Sequence, residues 1–297
     1  MTARPVSDTT LVGGAPAAKR ARETAFRVVL LLCLGVGLVA LAALLVSVVL
    51  DGRARFGEDL WRRFPSPRPE LAGARSAFFG TMWVIAATAL LTVPIGVSAA
   101  LYLEELAPSD RWYNRLVEVN IQNLAAVPSI VYGILGLAFV VRGPMSLGRV
   151  VLAAAVILSL LVLPTVIIAS REALRAVPQS IRDGALALGA TQLQTVSRQV
   201  LPAAVPGIAT GVILALSRAI GEAAPLLMVG ALTFLTFNPS GLDSAFTVLP
   251  VQIFNWVSRP QAEFHVLAAA TIVMLLLMLL VMNGAAIWVR NKFGKRW

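Results

Sequence analysis

Apolar and polar positions in this chain fall into long blocks instead of alternating with the period of a soluble strand or helix. Val28 to Leu50 is broken in polarity only by Ser47, and at 1.5 Å rise per residue such a run crosses a hydrocarbon core of about 30 Å. It is too long for a signal-peptide core, so it is read as a retained first membrane helix. Five further blocks, Ala77 to Leu103, Val119 to Val141, Val150 to Ser170, Pro206 to Leu235 and Val266 to Val289, bring the predicted spans to six. Pro94 predicts a kink in the second, because the Leu90 carbonyl loses its amide partner. The third opens with Asn120, Gln122 and Asn123 and contains Pro128; such amides must face protein or water. Pro164 lies near the end of the fourth.

The polar links divide the chain. Residues 1–26 are expected to be a disordered basic cytoplasmic tail, and 27–75 the first membrane helix with an external loop. Pro65, Pro67 and Pro69 favour an extended surface segment there. Residues 76–290 form a predicted five-helix core that includes a cytoplasmic segment at 171–202, and 291–297 are a second tail. The 171–202 segment reads as two short helices. Ser180 with Asp183 would start the first and Gly189 end it; Thr191 with Gln194 would start the second, which stops at Pro202. Ile181, Ala185 and Leu188 fall at i, i+4 and i+7, an apolar stripe on a segment outside the bilayer. Asn238 to Glu263 reads as a loop with Trp256 as an interfacial anchor, and His265 as a boundary residue.

Composition agrees with the blocks. With 58% hydrophobic and 13% charged residues the chain cannot cover a water-soluble globule, so the expected class is an all-α membrane protein. Termini inside give the cytoplasmic side fifteen basic residues against nine outside, so a net charge of +10 is a topology signal and not a nucleic-acid footprint. Cys33 lies inside the first apolar run, where it is expected to pack as a small apolar residue, and no intrachain disulfide is possible. The lysines are Lys19, Lys292 and Lys295, and Ala18 stands where a phosphate-binding loop needs glycine before its lysine. One histidine and one cysteine exclude a His/Cys metal cluster or a Cys-His pair. No enzyme activity, cofactor or metal is expected.

The chemistry that remains is in the fifth block, GVILALSRAIGEAAPLL from Gly211 to Leu227. A charge near the centre of a span costs about 2.5 to 3.5 kcal/mol on insertion scales, so it appears where a bundle interior or polar path accepts it. Arg218 and Glu222 stand one helical turn apart and can pair. Pro225 frees the Gly221 carbonyl, which predicts a compliant point beside the charges.

DGALALGATQLQTVSRQVLP, Asp183 to Pro202, resembles the EAA loop of ABC-importer permeases, with Gly184 and Gln199 departing from its pattern. NLAAVPSIVYGILGLAFV, SRAIGEAAPLL and LPVQIFNWVSRPQAEF add a resemblance to the PstA permeases of the bacterial phosphate importer, over about Ala74 to Val289. The resemblance implies the MetI-like fold of type I importers and a place in the bacterial inner membrane. It implies as partners a homologous PstC-like permease, two PstB-like ATPase subunits and an extracytoplasmic PstS-like phosphate-binding protein. It assigns Ile181, Asp183, Ala185, Leu188, Gly189, Leu201 and Pro202 to ATPase coupling, and Arg218, Gly221, Glu222 and Pro225 to a phosphate path or gate. A permease for sulfate, molybdate or phosphonate, and a non-conducting signalling or scaffold subunit, are the alternative readings.

Overall fold

A computed structural model describes residues 17–107, 111–231 and 234–293. The chain forms two compact units, residues 1–50 and 51–297. Among its described residues the first is a single helix, α1 (Ala17–Gly52). Within this unit the apolar side chains are exposed along the helix, Cys33 among them. The helix starts at Ala17, inside the segment expected to be a disordered tail; residues 1–16 of that tail lie outside the described residues.

The second unit opens with α2 (Glu58–Arg62) and a 3₁₀ turn, Pro69–Leu71. Pro65 and Pro67 are non-helical as expected, while Pro69 opens the 3₁₀ turn; the segment is not a surface loop, because Leu60, Ala72 and Ala74 are buried in one cluster with the last helix. Then come α3 (Arg75–Leu101), closing in a π-helical turn at Tyr102–Leu106, α4 (Trp112–Ala125), α5 (Ser129–Leu135), prolonged by a π-helical turn to Val141, and α6 (Val151–Arg175). The expected third span is therefore broken: α4 and the helix from Ser129 to Val141 meet at 101°. Pro128 is the cause, since it disfavours helical geometry at Val127 and removes an amide from the ladder.

Register shows that this bent pair still makes one crossing. The Ser159 hydroxyl donates to the Thr88 carbonyl at 3.4 Å, Gly96 abuts Val166, and Glu104 meets Arg171 and Arg175. Helices α3 and α6 thus run in the same direction, and α4 with α5 must carry the chain back. Among the described residues, five long apolar helices and this pair, taken as one span, give the six expected spans.

After α6 come α7 (Gln179–Ala187), α8 (Gln192–Thr195), a π-helical turn at Val196–Val200, α9 (Leu201–Ile220) and α10 (Ala224–Val229). The Thr191 capping box forms as predicted, with Gln194 N to Thr191 Oγ1 at 3.3 Å and Thr191 N to Gln194 Oε1 at 2.9 Å. Ser180 caps nothing, because the helix has already begun at Gln179 after Pro178. Pro202 does not stop the second helix either. It sits in the first turn of α9, directly after the π turn, and the helix runs unbroken from Gln192 to Ile220. At its other end the expected fifth span stops early: α9 ends at Ile220 with Gly221 as its cap, and Pro225 lies in the first turn of α10.

Two helices complete the unit, α11 (Leu249–Val257) and α12 (Ala262–Phe293). Trp256 is fully buried with Leu60, Phe264 and Leu267, not an interfacial anchor. The reason is local: Leu249 N donates to the buried Thr81 Oγ1 at 2.9 Å, and Gly80 has no side chain to hold off the Thr247 carbonyl. These contacts seat α11 in the bundle, where the sequence pattern suggested a loop.

Helix α6 is the hub, packing on α3, α4, α5 and α9. Its contact with α9 is close because Gly207 and Gly211 face Ala173 and Ala169; a Cβ on Gly211 would sit 2.5 Å from that of Ala169. In a bilayer, where apolar burial does not drive helix association, such small-residue approaches supply the packing. Gly211→Leu should therefore destabilise the subunit by about 1 to 3 kcal/mol, the usual cost of overpacking. Thermal unfolding of the detergent-solubilised protein should show a lowered midpoint, partly restored by adding Ala169→Gly.

Candidate functional site

Antiparallel packing of α6 and α9 fixes the depth of Arg218. Ala173 meets Gly207 and Ala169 meets Gly211, so continuing that register brings Arg218 level with the middle of α6, near Val162. Measured along α9, Arg218 lies about 16 Å beyond Gly207 at 1.5 Å per residue. The helix ends there, and its last turn carries Arg218, where the negative end of the helix dipole favours a cation. The Arg218 side chain is 63% exposed within this chain and that of Glu222 17%. Their closest approach, Arg218 Nε to Glu222 Oε1 at 3.5 Å, is longer than an ordinary hydrogen bond. Among the described residues no other carboxylate pairs with Arg218, so most of its donors are open.

The break after Ile220 is held from the opposite side. Pro225 is buried, and a Cβ on Gly133 of α5 would lie 2.6 Å from its Cα, so the two halves touch backbone to backbone. Gly221 closes α9 with its amide bonded to the Arg218 carbonyl at 3.1 Å. Beside Arg218, Ser217 Oγ lies 2.6 Å from both the Ile213 carbonyl and the Asn283 amide oxygen of α12 as placed. A hydroxyl has one hydrogen, so if it donates to Ile213 the Asn283 amide presents its NH2 group. Arg218, Gly221, Glu222 and Pro225 thus meet at one helix break.

The cytosolic-loop residues do not all share one face. Ile181 packs with Leu174, Val177, Val200 and Ala204, and Leu201 joins the same cluster. Ala185 is half-buried, whereas Leu188 is 91% exposed, as are Leu186 and Leu193 to a lesser degree. Asp183 is exposed and accepts a bond from Gln179 Nε2 at 3.2 Å. Gly189, at φ +83°, takes the left-handed conformation that ends α7, as its position predicted. Pro202 is exposed.

A set of ion pairs at this end of the bundle was not foreseen. Arg182 of α7 grips Glu105 through Nη2–Oε1 at 2.6 Å and Nε–Oε2 at 3.2 Å, and donates to the carbonyls of Leu174 and Val177 that close α6. Gln192 of α8 donates to the Glu105 carbonyl at 2.6 Å. Next to it, Glu104 takes Arg171 at 3.1 Å and Arg175 at 2.7 Å, and Arg171 also reaches Glu118 of α4. The Arg182 and Glu105 side chains are only 15% and 7% exposed. The hydrogen bond to Glu105 raises the Arg182 pKa above its ordinary value, against desolvation. A raised value keeps the cation's contribution intact below the ordinary arginine range, so at physiological pH this arginine does not titrate. The sequence signal was Glu104-Glu105 before a break and arginines at 171, 175 and 182, which charge counting treated only as topology markers.

Comparison with known proteins follows the fold. Residues 92–295 match the family described as Binding-protein-dependent transport system inner membrane component. The chain is 29% identical over 279 residues to the probable ABC transporter permease protein YqgI of Bacillus subtilis, covering 89% of this chain and 94% of that protein. It is 31% identical over 261 residues to the phosphate transport system permease protein PstA of Yersinia pestis, covering 88% and 86%. Among solved structures it is similar to a bacterial alginate ABC transporter bound to its periplasmic protein, with TM-score 0.66, 18% identity and coverage of 94% and 98%. The inward-facing MetNI methionine transporter gives TM-score 0.59 at 19% identity over 73% of this chain and 95% of that one. At such identity the two structures establish the fold, that of ABC importer permeases. Together with the family match and the membrane helices, they close the assignment: the chain belongs to the inner-membrane components of binding-protein-dependent ABC importers.

Proposed function

We propose that this chain is one of two permease subunits of an ATP-driven phosphate importer and that Arg218 meets the anion at half-depth. The observation that carries the reading is the loosely paired Arg218 guanidinium at the end of α9, level with the middle of α6. Phosphate crosses as a mono- or dianion with several acceptor oxygens, and a guanidinium offers a planar fork of donors that stays charged. Glu222 offsets the cost of the cation while the path is empty, and phosphate competes with it for the same donors. The contact is weak by design, since tight binding would oppose release. Similarity to PstA of Yersinia pestis and of Haemophilus influenzae supports phosphate over other oxyanions.

A PstC-like permease would supply the other half of the path, a PstS-like protein would deliver phosphate from outside, and two PstB-like subunits would hydrolyse ATP. Both termini lie in the cytoplasm on this reading, as the fifteen-to-nine bias of basic residues favours. Leu188, with Leu186 and Leu193, projects from the cytoplasmic end as the surface an ATPase cleft would cover. Ile181 and Ala185 face inward and pass the motion to the cluster at Leu174 and Val200. The Arg182–Glu105 clamp makes α7 move with the ends of α3 and α6. Gly221 and Pro225 give the gate its moving point, because the helix is already interrupted there.

In vesicles holding the assembled transporter, Arg218→Gln should lower phosphate uptake by about tenfold or more, the value of a lost charge-assisted contact, with ATP hydrolysis retained. Unchanged uptake contradicts the path assignment. Arg182→Glu should uncouple the two activities, giving hydrolysis that the liganded binding protein no longer stimulates; leaving a partly buried Glu105 unpaired costs about 3 to 5 kcal/mol. The double variant Arg182→Glu with Glu105→Arg should recover stimulation if the pair transmits motion, and equal defects in single and double variants would refute that.

A further inference from the structure

Helices α3, α9 and α12 enclose an apolar groove of about 430 Å³ on the surface of the bundle. Val93 and Val97 of α3, Val205 and Ala209 of α9, and Val289 and Arg290 of α12 line it. The groove lies at the clamp end of the bundle, because Arg290 meets Thr210, one turn from Gly207, whose partner is Ala173. Arg290 Nη1 donates to Thr210 Oγ1 at 2.9 Å, and Nε and Nη2 reach the Asn291 side chain. Among the described residues no carboxylate neutralises it. Trp288 on the same turn is exposed, with the Lys292 ammonium 5.0 Å above its ring, which marks this level as the membrane–water interface.

An apolar slot on the bundle surface, lined in part by an unneutralised, oriented guanidinium, offers the two chemistries that a phospholipid needs. We propose that the groove binds an anionic phospholipid of the adjoining leaflet, an acyl chain lying along Val97 and Val205 and the headgroup phosphate bonded to Arg290. Arg290 can turn its donors from the neutral Asn291 to a phosphate without breaking an ion pair, and one basic residue at this level discriminates between anionic and zwitterionic headgroups. A simple snorkelling arginine would instead hold no particular lipid. The inference does not depend on which solute the transporter carries.

The test uses the assembled transporter, reconstituted in phosphatidylcholine with a trace of photoactivatable phosphatidylglycerol or of the matching phosphatidylcholine probe. The expected result is phosphatidylglycerol adducts on α9 and α12 residues around the groove, in excess over the phosphatidylcholine probe. Arg290→Gln should cut them by about fivefold, the contribution of one basic residue near an anionic headgroup, while Arg290→Lys keeps them. Val205→Trp should block labelling by filling the slot with the charge intact. Equal labelling by both probes, or adducts indifferent to Arg290→Gln, would overturn the proposal. So would a disulfide between Val205→Cys and the second permease with no lipid adduct, which would show protein in the groove.

Discussion

A guanidinium halfway through a bilayer costs free energy unless something at that depth accepts its charge, and Arg218 stands at the end of α9, level with the middle of α6. Helix α9 carries Arg218 in its last turn, so the negative end of its dipole falls beside the cation. Glu222 contributes a counter-charge without saturating the donors. The interrupted backbone is tolerable at that level only where protein or a water-filled cavity meets it. Protein does so on one side, where Gly133 of α5 lies against Pro225.

Placing a helix end at a chosen depth requires the rest of α9 to be fixed in register. Gly207 and Gly211 do this against Ala173 and Ala169, and the Ser217–Asn283 and Thr210–Arg290 bonds tie α9 to α12 at two levels, one about 10 Å from the other at 1.5 Å per residue. The α7–α8 segment joins the same framework by a different route. The covalent connection to α9 passes through Pro202 and Pro206, but the short connection in space is Arg182 to Glu105 at the end of α3 and to the last carbonyls of α6. In the proposed mechanism a push on α7 therefore reaches the bundle through α3 and α6 first, and α9 follows because it is packed against α6.

The apolar blocks, and the glycine and threonine that punctuate α7 and α8, were legible because they depend on local chemistry: a run long enough to span, a left-handed residue, a hydroxyl facing an amide. Arg218 was legible because charge within a span needs a reason. Features set by contacts between distant segments were not. Trp256 looked interfacial until Gly80 and Thr81 were seen to seat α11 against α3. Leu60 looked like part of a loop until its cluster with α12 was visible. Glu105 and Arg182 stand far apart in the chain, and nothing in either neighbourhood marks them as partners. The early end of α9 was half-visible: Gly221 and Pro225 suggested compliance, and only the packing of Gly133 on Pro225 shows a complete break.

The central claim is that the α9 face bearing Arg218 borders an anion-accessible path at half-depth, and Leu214, one turn before Arg218 and exposed on this chain, is the place to probe it. In a Cys33→Ser background, Leu214→Cys should react in the assembled transporter with a small anionic, membrane-impermeant thiol reagent. The account predicts that reaction from one side changes during ATP turnover and is slowed by phosphate. A thiol that never reacts from either side, in the resting or the turning-over transporter, would contradict it.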